Sequence, residues 1–240
     1  MSNSQNAKVN IEDLHAQSKQ KKGYKGFYQN VFKRLVDILV SLFLIPFVLI
    51  IWVVVAIAIK LEDKGPVLYY DHRIAKGSKE YVMYKFRSMK VNAPMILNQD
   101  GSTYNSDEDP RVTKVGKFIR KTSIDELPQI LNVLKGDMSF VGPRATTWDG
   151  VDSFAEDEVD KMKVRPGITG YTQAYYRNSI STREKRLLDA WYANNVTMWL
   201  DIKILFKTVA TVIKRENLYS NEGTPETSEK VQQDTNVKMN

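Results

Sequence analysis

An uncharged hydrophobic run occupies residues 38–59 of the chain. Its 22 residues carry no charged side chain, and about 20 apolar residues are enough for a helix to cross the hydrocarbon core of a bilayer. The run begins too far from the N-terminus for a secretory signal peptide, and it continues directly into the charged residues 60–64. A helix of this length in a soluble protein usually keeps a polar face, which this run lacks, so a buried core helix is the less favoured interpretation. The pattern therefore predicts a membrane helix.

The flanks and the middle of this run bear on how the helix sits in the membrane. Lys33 and Arg34 precede it, and Lys60 and Lys64 follow it. Because Lys and Arg are enriched on the cytoplasmic side, both flanks are expected there. Pro46 lies mid-run, where it removes a backbone hydrogen bond and favours a kink. A bent, re-entrant helix satisfies both signals, and a straight span with a mild kink is the alternative.

The other positions predict a soluble body between two polar tails. Short β-type runs at 67–70 and 81–86 are separated by turn residues, which predicts a hairpin. Beyond residue 110 the apolar spacing is mainly helical. The predicted helices are 112–121, 124–135, 153–164, 182–195 and 197–215. The predicted segments are a mobile basic tail at 1–30, the membrane helix at 31–60, the soluble body at 61–215 and a disordered tail at 216–240.

The last predicted helix, 197–215, is amphipathic. Its apolar stripe consists of Trp199, Ile202, Phe206, Val209 and Ile213. A basic amphipathic helix with Trp and Phe can lie in the membrane interface, and packing of the stripe into the core is the alternative. The fold class is predicted as α+β: a mainly helical cytoplasmic domain with a short β hairpin and amphipathic helices that are candidates for the membrane interface, anchored by one hydrophobic helix that is either re-entrant or straight.

Composition narrows the chemistry. The 240 residues include no cysteine and two histidines, which excludes disulfides, Cys-ligated metals and thiol nucleophiles and disfavours a His-rich site. Thirty-five basic residues against 28 acidic ones give a net charge of +7. Anionic partners are therefore expected, such as phosphates or lipid headgroups.

Two adjacent carboxylates, Asp125 and Glu126, are the strongest candidates for catalysis. Pro128 is tolerated only in the first turn of a helix, so a helix should begin near residues 123–125, with Ser123 or Asp125 as the cap. A simple capping box, Ser123 with Glu126, is one interpretation. The other is a site for phosphoryl transfer, which needs a nucleophile, cations around the phosphoryl oxygens and usually Mg²⁺.

Basic side chains surround this pair in the sequence and are suited to phosphate oxygens. Gln173 follows the second of two rigid Pro-Gly-containing turns and is a candidate for contact with a nucleotide. The predicted substrate-binding residues are Lys85, Arg87, Arg111, Arg120, Arg144, Arg165, Gln173 and Arg177.

Several motifs together resemble the bacterial sugar transferase family, the monotopic phosphoglycosyl transferases. They are DPRVTKVG at 109–116, RKTSIDELPQ at 120–129, NVLKGDMSFVGPR at 132–144 and VRPGITG at 164–170. YKFRSM at 84–89 and the opening of the hydrophobic run are also similar, so the resemblance covers about residues 31–215.

This resemblance implies transfer of a sugar-1-phosphate from a nucleotide diphosphate sugar, by family default a UDP-sugar, to undecaprenyl phosphate. It implies that Asp125 is the nucleophile of a covalent phosphosugar intermediate and contacts Mg²⁺. Glu126 is its dyad partner or handles a proton, and Pro46 breaks the membrane helix. The implied location is the cytoplasmic face of the bacterial inner membrane, in the first membrane step of exopolysaccharide, capsule or glycoconjugate assembly.

A second class of function fits the same composition. A non-catalytic, membrane-anchored adaptor of a glycan-assembly complex would also be basic, but it would not need the acidic pair among arginines. No nucleic-acid recognition motif is present, so nucleic acid is not expected as a partner. Membrane lipid is expected, and a homodimer and downstream glycosyltransferases are further candidate partners.

Overall fold

The computed structural model describes residues 27–94, 96, 104, 106, 108–177 and 179–214. A π-helical turn, Tyr28–Phe32, leads directly into helix α1, Lys33–Glu62, which contains Pro46. The helix therefore starts before residue 31, where the sequence placed its boundary. Most of the predicted tails, at 1–26 and 215–240, lie outside the described residues. Within the described part of the chain, 28–62 is the one helix long and apolar enough to cross a membrane.

One face of α1 is buried along its length. Asp37, Ser41, Val48, Val55 and Ile59 are buried at spacings of four and seven residues, which places them on one side of an α-helix. The opposite face exposes large apolar side chains. They include Leu39, Phe43, Phe47, Ile50, Val54 and Ile57. A hydrophobic face this extended marks contact with lipid or with another protein.

The predicted hairpin is present and longer than expected. Strand β1, Leu68–Ala75, pairs antiparallel with β2, Lys79–Phe86, with Leu68 opposite Phe86. At its open end, Phe86 is buried in one cluster with Val55 and Ile59 of α1. The hairpin is thus packed against the end of α1.

The helices after the hairpin follow the prediction in part. Helix α2 is Lys114–Lys121, and a 3₁₀ turn, Ile124–Glu126, precedes α3, Gln129–Lys135. Buried Asn132 joins α3 to β2, because its amide donates to Val82 O at 2.7 Å and accepts from Tyr84 N at 3.0 Å.

The predicted helix at 153–164 is wrong. The chain instead forms a short helix α4, Trp148–Asp152, and a 3₁₀ helix, Val159–Lys163. Buried Glu158 accepts a hydrogen bond from Ala155 N and ion pairs from Arg183 and Arg186, so distant partners set this local conformation.

Two short parallel strands bring the two predicted turns together. Strand β3, Ser139–Val141, pairs with β4, Gly167–Thr169. A side chain at Gly167 would place its Cβ 2.1 Å from the backbone nitrogen of Gly142, so this approach requires glycine. The turns that carry Arg144 and Arg165 are neighbours for this reason.

The C-terminal helices close the soluble body. They are α5, Tyr171–Tyr175, α6, Thr182–Asn194, and α7, Met198–Lys214. The predictions at 182–195 and 197–215 are confirmed within a residue or two. In α6, Ser181 and Glu184 form a complete capping box.

The predicted apolar stripe of α7 does not form the core. Trp199 is 69% exposed and Phe206 is 75% exposed, whereas Asp201, Ile204 and Thr211 are buried on the opposite side. The helix therefore turns a hydrophobic face away from the protein, as a helix in a membrane interface does.

Candidate active site

Asp125 and Glu126 lie in the 3₁₀ turn before α3 rather than in the first turn of an α-helix. The predicted cap is wrong: Ser123 has a left-handed backbone (φ 56°), and its side chain caps nothing. Pro128 takes the N-cap position of α3. The Glu126 carboxylate is consequently free of the capping box and bonds elsewhere.

The partner of Glu126 comes from the hairpin. Lys85 Nζ on β2 donates to Glu126 Oε1 at 3.1 Å, and both side chains are largely buried. Burial raises the pKa of Glu126, but the charges of Lys85, Arg144 and Arg177 outweigh burial and hold that pKa below its ordinary value. Glu126 is therefore ionised at neutral pH.

For Asp125, the effects that raise the pKa outweigh those that lower it. Burial, followed by the negative charge of Glu126, raises the pKa of Asp125 to about 6, against the opposing effects of Lys85 and Arg120. The carboxylate is thus ionised at pH 7 while remaining poorly solvated. A desolvated carboxylate near its own pKa is suited to attack an electrophile.

Four of the predicted cations are close enough to the dyad to affect its charge. Lys85 and Arg120 act on Asp125, and Arg144 and Arg177 act on Glu126. Arg120 is oriented by Ser88, whose hydroxyl accepts from Arg120 Nε at 2.9 Å. These four residues come from β2, α2, the turn after β3 and the end of α5, so only the tertiary fold assembles them.

Arg87 and Arg111 have structural partners. Buried Arg87 binds Asp63 Oδ2 at 2.6 Å, just beyond the end of α1. Buried Arg111 pairs with Asp109 at 2.7 Å and donates to the carbonyl groups of Pro94 and Tyr104. The described contacts do not bring either guanidinium to the dyad.

Arg165 and Gln173 are also held by backbone groups. Arg165 Nε donates to Gly136 O at 2.9 Å, at the C-terminal end of α3. Gln173 Nε2 donates to Ile168 O at 3.1 Å, and its Oε1 is buried without a hydrogen-bond partner among the described residues.

A chain of buried polar residues supports Arg177, and no pattern in the sequence indicated it. Lys161 Nζ pairs with Asp189 Oδ2 at 3.1 Å, and Thr172 Oγ1 donates to Asp189 Oδ1 at 3.0 Å. Thr172 O in turn accepts from Arg177 N at 2.8 Å and from Tyr176 N. Arg177 takes a left-handed backbone (φ 48°) at this point, which this support holds in place.

The side chains near Asp125 show which kind of Mg²⁺ site could form here. The described residues contain no group of three or more metal-binding side chains, and Glu126 is already paired with Lys85. Mg²⁺ is commonly held by one or two carboxylates together with substrate phosphates and water. Asp125 therefore fits a Mg²⁺ ion that binds with a diphosphate substrate, and it does not fit a site built from protein ligands alone.

Comparison with known proteins agrees with the geometry. The sequence model described as "Bacterial sugar transferase" matches residues 28–215. The chain is 43% identical over 187 residues to an Aeromonas hydrophila UDP-N-acetylgalactosamine-undecaprenyl-phosphate N-acetylgalactosaminephosphotransferase, covering 75% of this chain and 43% of the relative. It is 36% identical over 217 residues to a Salmonella typhimurium undecaprenyl-phosphate galactose phosphotransferase, covering 86% and 44%.

A shorter protein matches nearly end to end. The uncharacterized sugar transferase EpsL of Bacillus subtilis is 38% identical over 188 residues, which are 78% of this chain and 90% of EpsL. The chain spans less than half the length of the Aeromonas and Salmonella relatives. The shared region contains Asp125, Glu126 and the four cations around them.

Proposed function

Because the chain belongs to the bacterial sugar transferase family, we propose that it transfers a sugar-1-phosphate from a UDP-sugar to undecaprenyl phosphate. The observation that carries this proposal is the acidic pair Asp125–Glu126 within reach of four cations. The names of the Aeromonas and Salmonella relatives specify undecaprenyl phosphate, and the former specifies a UDP-sugar. These names differ in the sugar, so they support the donor class and leave the sugar open.

In the first step an Asp125 carboxylate oxygen attacks the phosphorus that bears the sugar. A bond forms between that oxygen and phosphorus, and the bond from phosphorus to the bridging oxygen breaks, so UMP leaves with the electron pair. Arg120, Arg144 and Arg177 neutralise the phosphate oxygens as charge shifts to the leaving group. Mg²⁺, bound by Asp125 with the diphosphate, would add Lewis-acid charge neutralisation.

In the second step a phosphate oxygen of undecaprenyl phosphate attacks the aspartyl phosphosugar. The new diphosphate bond forms, the aspartyl–phosphorus bond breaks, and the Asp125 carboxylate is regenerated. Glu126 stays ionised beside Lys85 throughout, and its charge makes Asp125 a better nucleophile by disfavouring a second buried anion. The scheme yields UMP and a lipid-linked diphosphosugar with no other reactant.

The membrane arrangement is part of the proposal: α1 enters and leaves on the cytoplasmic side. Both ends of α1 contact one soluble body. Near the start, Asp37 accepts from Ser139 and Phe140, and at the end Glu62 accepts from the backbone of Lys114 and Val115. A helix that crossed the bilayer perpendicular to it would bring only one end to that body.

The length of the hairpin can be compared with the length that a straight α1 would have, because both ends of the hairpin lie beside α1. Its open end packs with Ile59, and Lys76 in its turn lines a cleft with Lys33. An eight-residue strand spans about 26 Å, whereas a straight helix from 33 to 59 would span about 39 Å. A bend near Pro46 would shorten α1 accordingly. The outward apolar face of α7 would lie in the same interface.

Release of UMP tests the function directly. Purified protein would be incubated with Mg²⁺, undecaprenyl phosphate and a panel of UDP-sugars, first complete and then without acceptor. We expect UMP release with at least one sugar, a single-turnover burst of enzyme-bound phosphosugar without acceptor, and neither in Asp125→Asn. Substantial turnover by folded Asp125→Asn would exclude the nucleophile. No release from folded wild-type protein with any sugar would favour the adaptor.

A further inference from the structure

A narrow cleft beside the start of α1 lies apart from the acidic pair. It is open to solvent, and its cavity volume is about 20 Å³, room for about one water molecule. Three basic side chains line it: Lys33, Lys76 and Arg165. Among the described residues, its lining includes neither Asp125 nor Glu126, nor any of the four cations that act on them. The cleft is therefore a separate basic site.

The positive charge at this cleft is only partly compensated. Lys33 pairs with Asp201, which balances its charge; the same carboxylate also accepts from the neutral hydroxyl groups of Tyr28 at 2.7 Å and Tyr192 at 2.6 Å. The side chain of Lys76, in contrast, forms no hydrogen bond or ion pair with any other residue that the structure describes.

Arg165 faces a second guanidinium. Arg34 binds the carbonyl groups of Val133 and Leu134, and Arg165 binds that of Gly136, so both cations sit at the C-terminal end of α3. Helix carbonyls favour cations there. The charge of Arg165 disfavours that of Arg34, and the carboxylates of Asp37 and Asp137 oppose this effect. Arg165 itself forms no ion pair with the residues that the structure describes, so an anion beside Arg165 and Lys76 would balance its charge.

The cleft lies at the depth where lipid phosphates are expected. Lys33 is the first residue of α1, and the uncharged run begins five residues later. The turn that carries Lys76 is fixed, because Gly77 N donates to Met162 O at 3.0 Å. Basic pockets beside membrane helices on the cytoplasmic side bind anionic headgroups.

We propose that the mouth of this cleft binds the phosphodiester headgroup of an anionic phospholipid of the cytoplasmic leaflet. Lys76 and Arg165 contact the phosphate oxygens, and Gln29, which also lines the cleft, can bond the polar end of the headgroup. The bound lipid holds the start of α1 against the soluble body. This site goes beyond the transferase reaction and does not depend on it.

Binding of short-chain phosphatidylglycerol to the full chain in neutral detergent, measured by native mass spectrometry without nucleotide sugar, tests the site. Lys76→Glu is compared with Lys79→Glu, which makes the same charge change on the same hairpin outside the cleft. We expect wild-type protein and Lys79→Glu to bind phosphatidylglycerol in preference to phosphatidylcholine. Lys76→Glu should bind phosphatidylglycerol about tenfold more weakly.

Competition distinguishes the sources of the phosphate. If Lys76→Glu and Lys79→Glu lost equal amounts of phosphatidylglycerol binding, the binding would depend on general surface charge and the site would be overturned. Displacement by millimolar inorganic phosphate would indicate a free-anion site and overturn the lipid assignment. Displacement by micromolar undecaprenyl phosphate would assign the cleft to the acceptor instead. Repeating the measurement with Asp125→Asn separates lipid binding from the transferase, because the expected binding is the same whether or not that variant is active.

Discussion

Lys85 Nζ lies 3.1 Å from Glu126 Oε1, and this ion pair joins strand β2 to the turn that carries Asp125. It keeps Glu126 ionised, so a negative charge stays beside Asp125. Together with burial, that charge raises the pKa of Asp125 to about 6. The two carboxylates are therefore unequal, and the difference between them has consequences for the pH dependence of the reaction.

Formation of the phosphosugar intermediate should follow the ionisation of Asp125. Attack requires the carboxylate, whose pKa lies near 6, so the single-turnover rate of UMP release should rise with pH through about 6 and level off near 7. At pH 5 the rate should be about tenfold below that plateau. A rate that does not change between pH 5 and 7.5 would contradict the assignment.

Replacement of Glu126 provides the matched comparison. Glu126→Gln keeps the size of the side chain and removes the negative charge that raises the pKa of Asp125. The midpoint of the pH profile should therefore move to lower pH. A midpoint unchanged or moved to higher pH would show that another group titrates.

Two arginines that look alike in the sequence should behave differently. Arg111 is buried against Asp109, so Arg111→Met leaves a buried carboxylate unpaired and should lower the thermal unfolding midpoint by about 8 °C, which corresponds to about 3 kcal/mol. Arg144 is exposed near Glu126. Arg144→Met should leave the midpoint unchanged and lower kcat/KM for the UDP-sugar by about 100-fold.

These two measurements check each other. Unfolding followed by the intrinsic fluorescence of Trp reports stability, and UMP release reports the reaction. If Arg111→Met kept full stability and lost donor binding, Arg111 would contact substrate and the structural role given to it would be wrong.

Thr172 should act through Arg177. Thr172→Val removes the hydroxyl that donates to Asp189 and loosens the segment whose backbone carbonyl holds Arg177 N. We expect KM for the UDP-sugar to rise about tenfold, with the pH midpoint of the reaction unchanged. Thr172→Ser, which keeps the hydroxyl, should restore KM. Failure of Ser to rescue would point to packing of the methyl group instead.

The absence of native cysteine allows a clean topology test. The single variants Ser4→Cys and Ser228→Cys place one cysteine before α1 in the sequence and one cysteine after it. In intact cells a membrane-impermeant maleimide should label neither, and both should react after lysis, because a re-entrant α1 keeps both flanks in the cytoplasm. Labelling of either one in intact cells would restore the straight span.

Features that depend on neighbours in sequence were predictable. The uncharged run at 38–59 predicted the long apolar helix α1, and Ser181 with Glu184 marks the start of α6, which forms as expected. The motifs around 109–144 were sufficient to identify the family, because it is defined by such local patterns. The adjacency of Asp125 and Glu126 was visible for the same reason.

Features that depend on distant partners were not predictable from the sequence. Ser123 and Glu126 have the spacing of a capping box, yet Glu126 bonds Lys85, 41 positions earlier in the chain. Glu158 likewise took its partners from α6, and the expected helix at 153–164 did not form. A carboxylate bonds whichever cation the fold brings within about 3 Å, and local periodicity carries no information on that choice.

The sequence by itself determined the long apolar helix, the hairpin, the acidic pair and the family. Only the tertiary structure decided which cations lie near that pair. Four of them act on its charge: Lys85, Arg120, Arg144 and Arg177. Arg87 and Arg111 instead stabilise loops, and Arg165 lines another cleft. The reason is physical. Hydrophobic periodicity acts over a few residues, whereas ion pairing depends on which buried surfaces meet after strands and helices have packed.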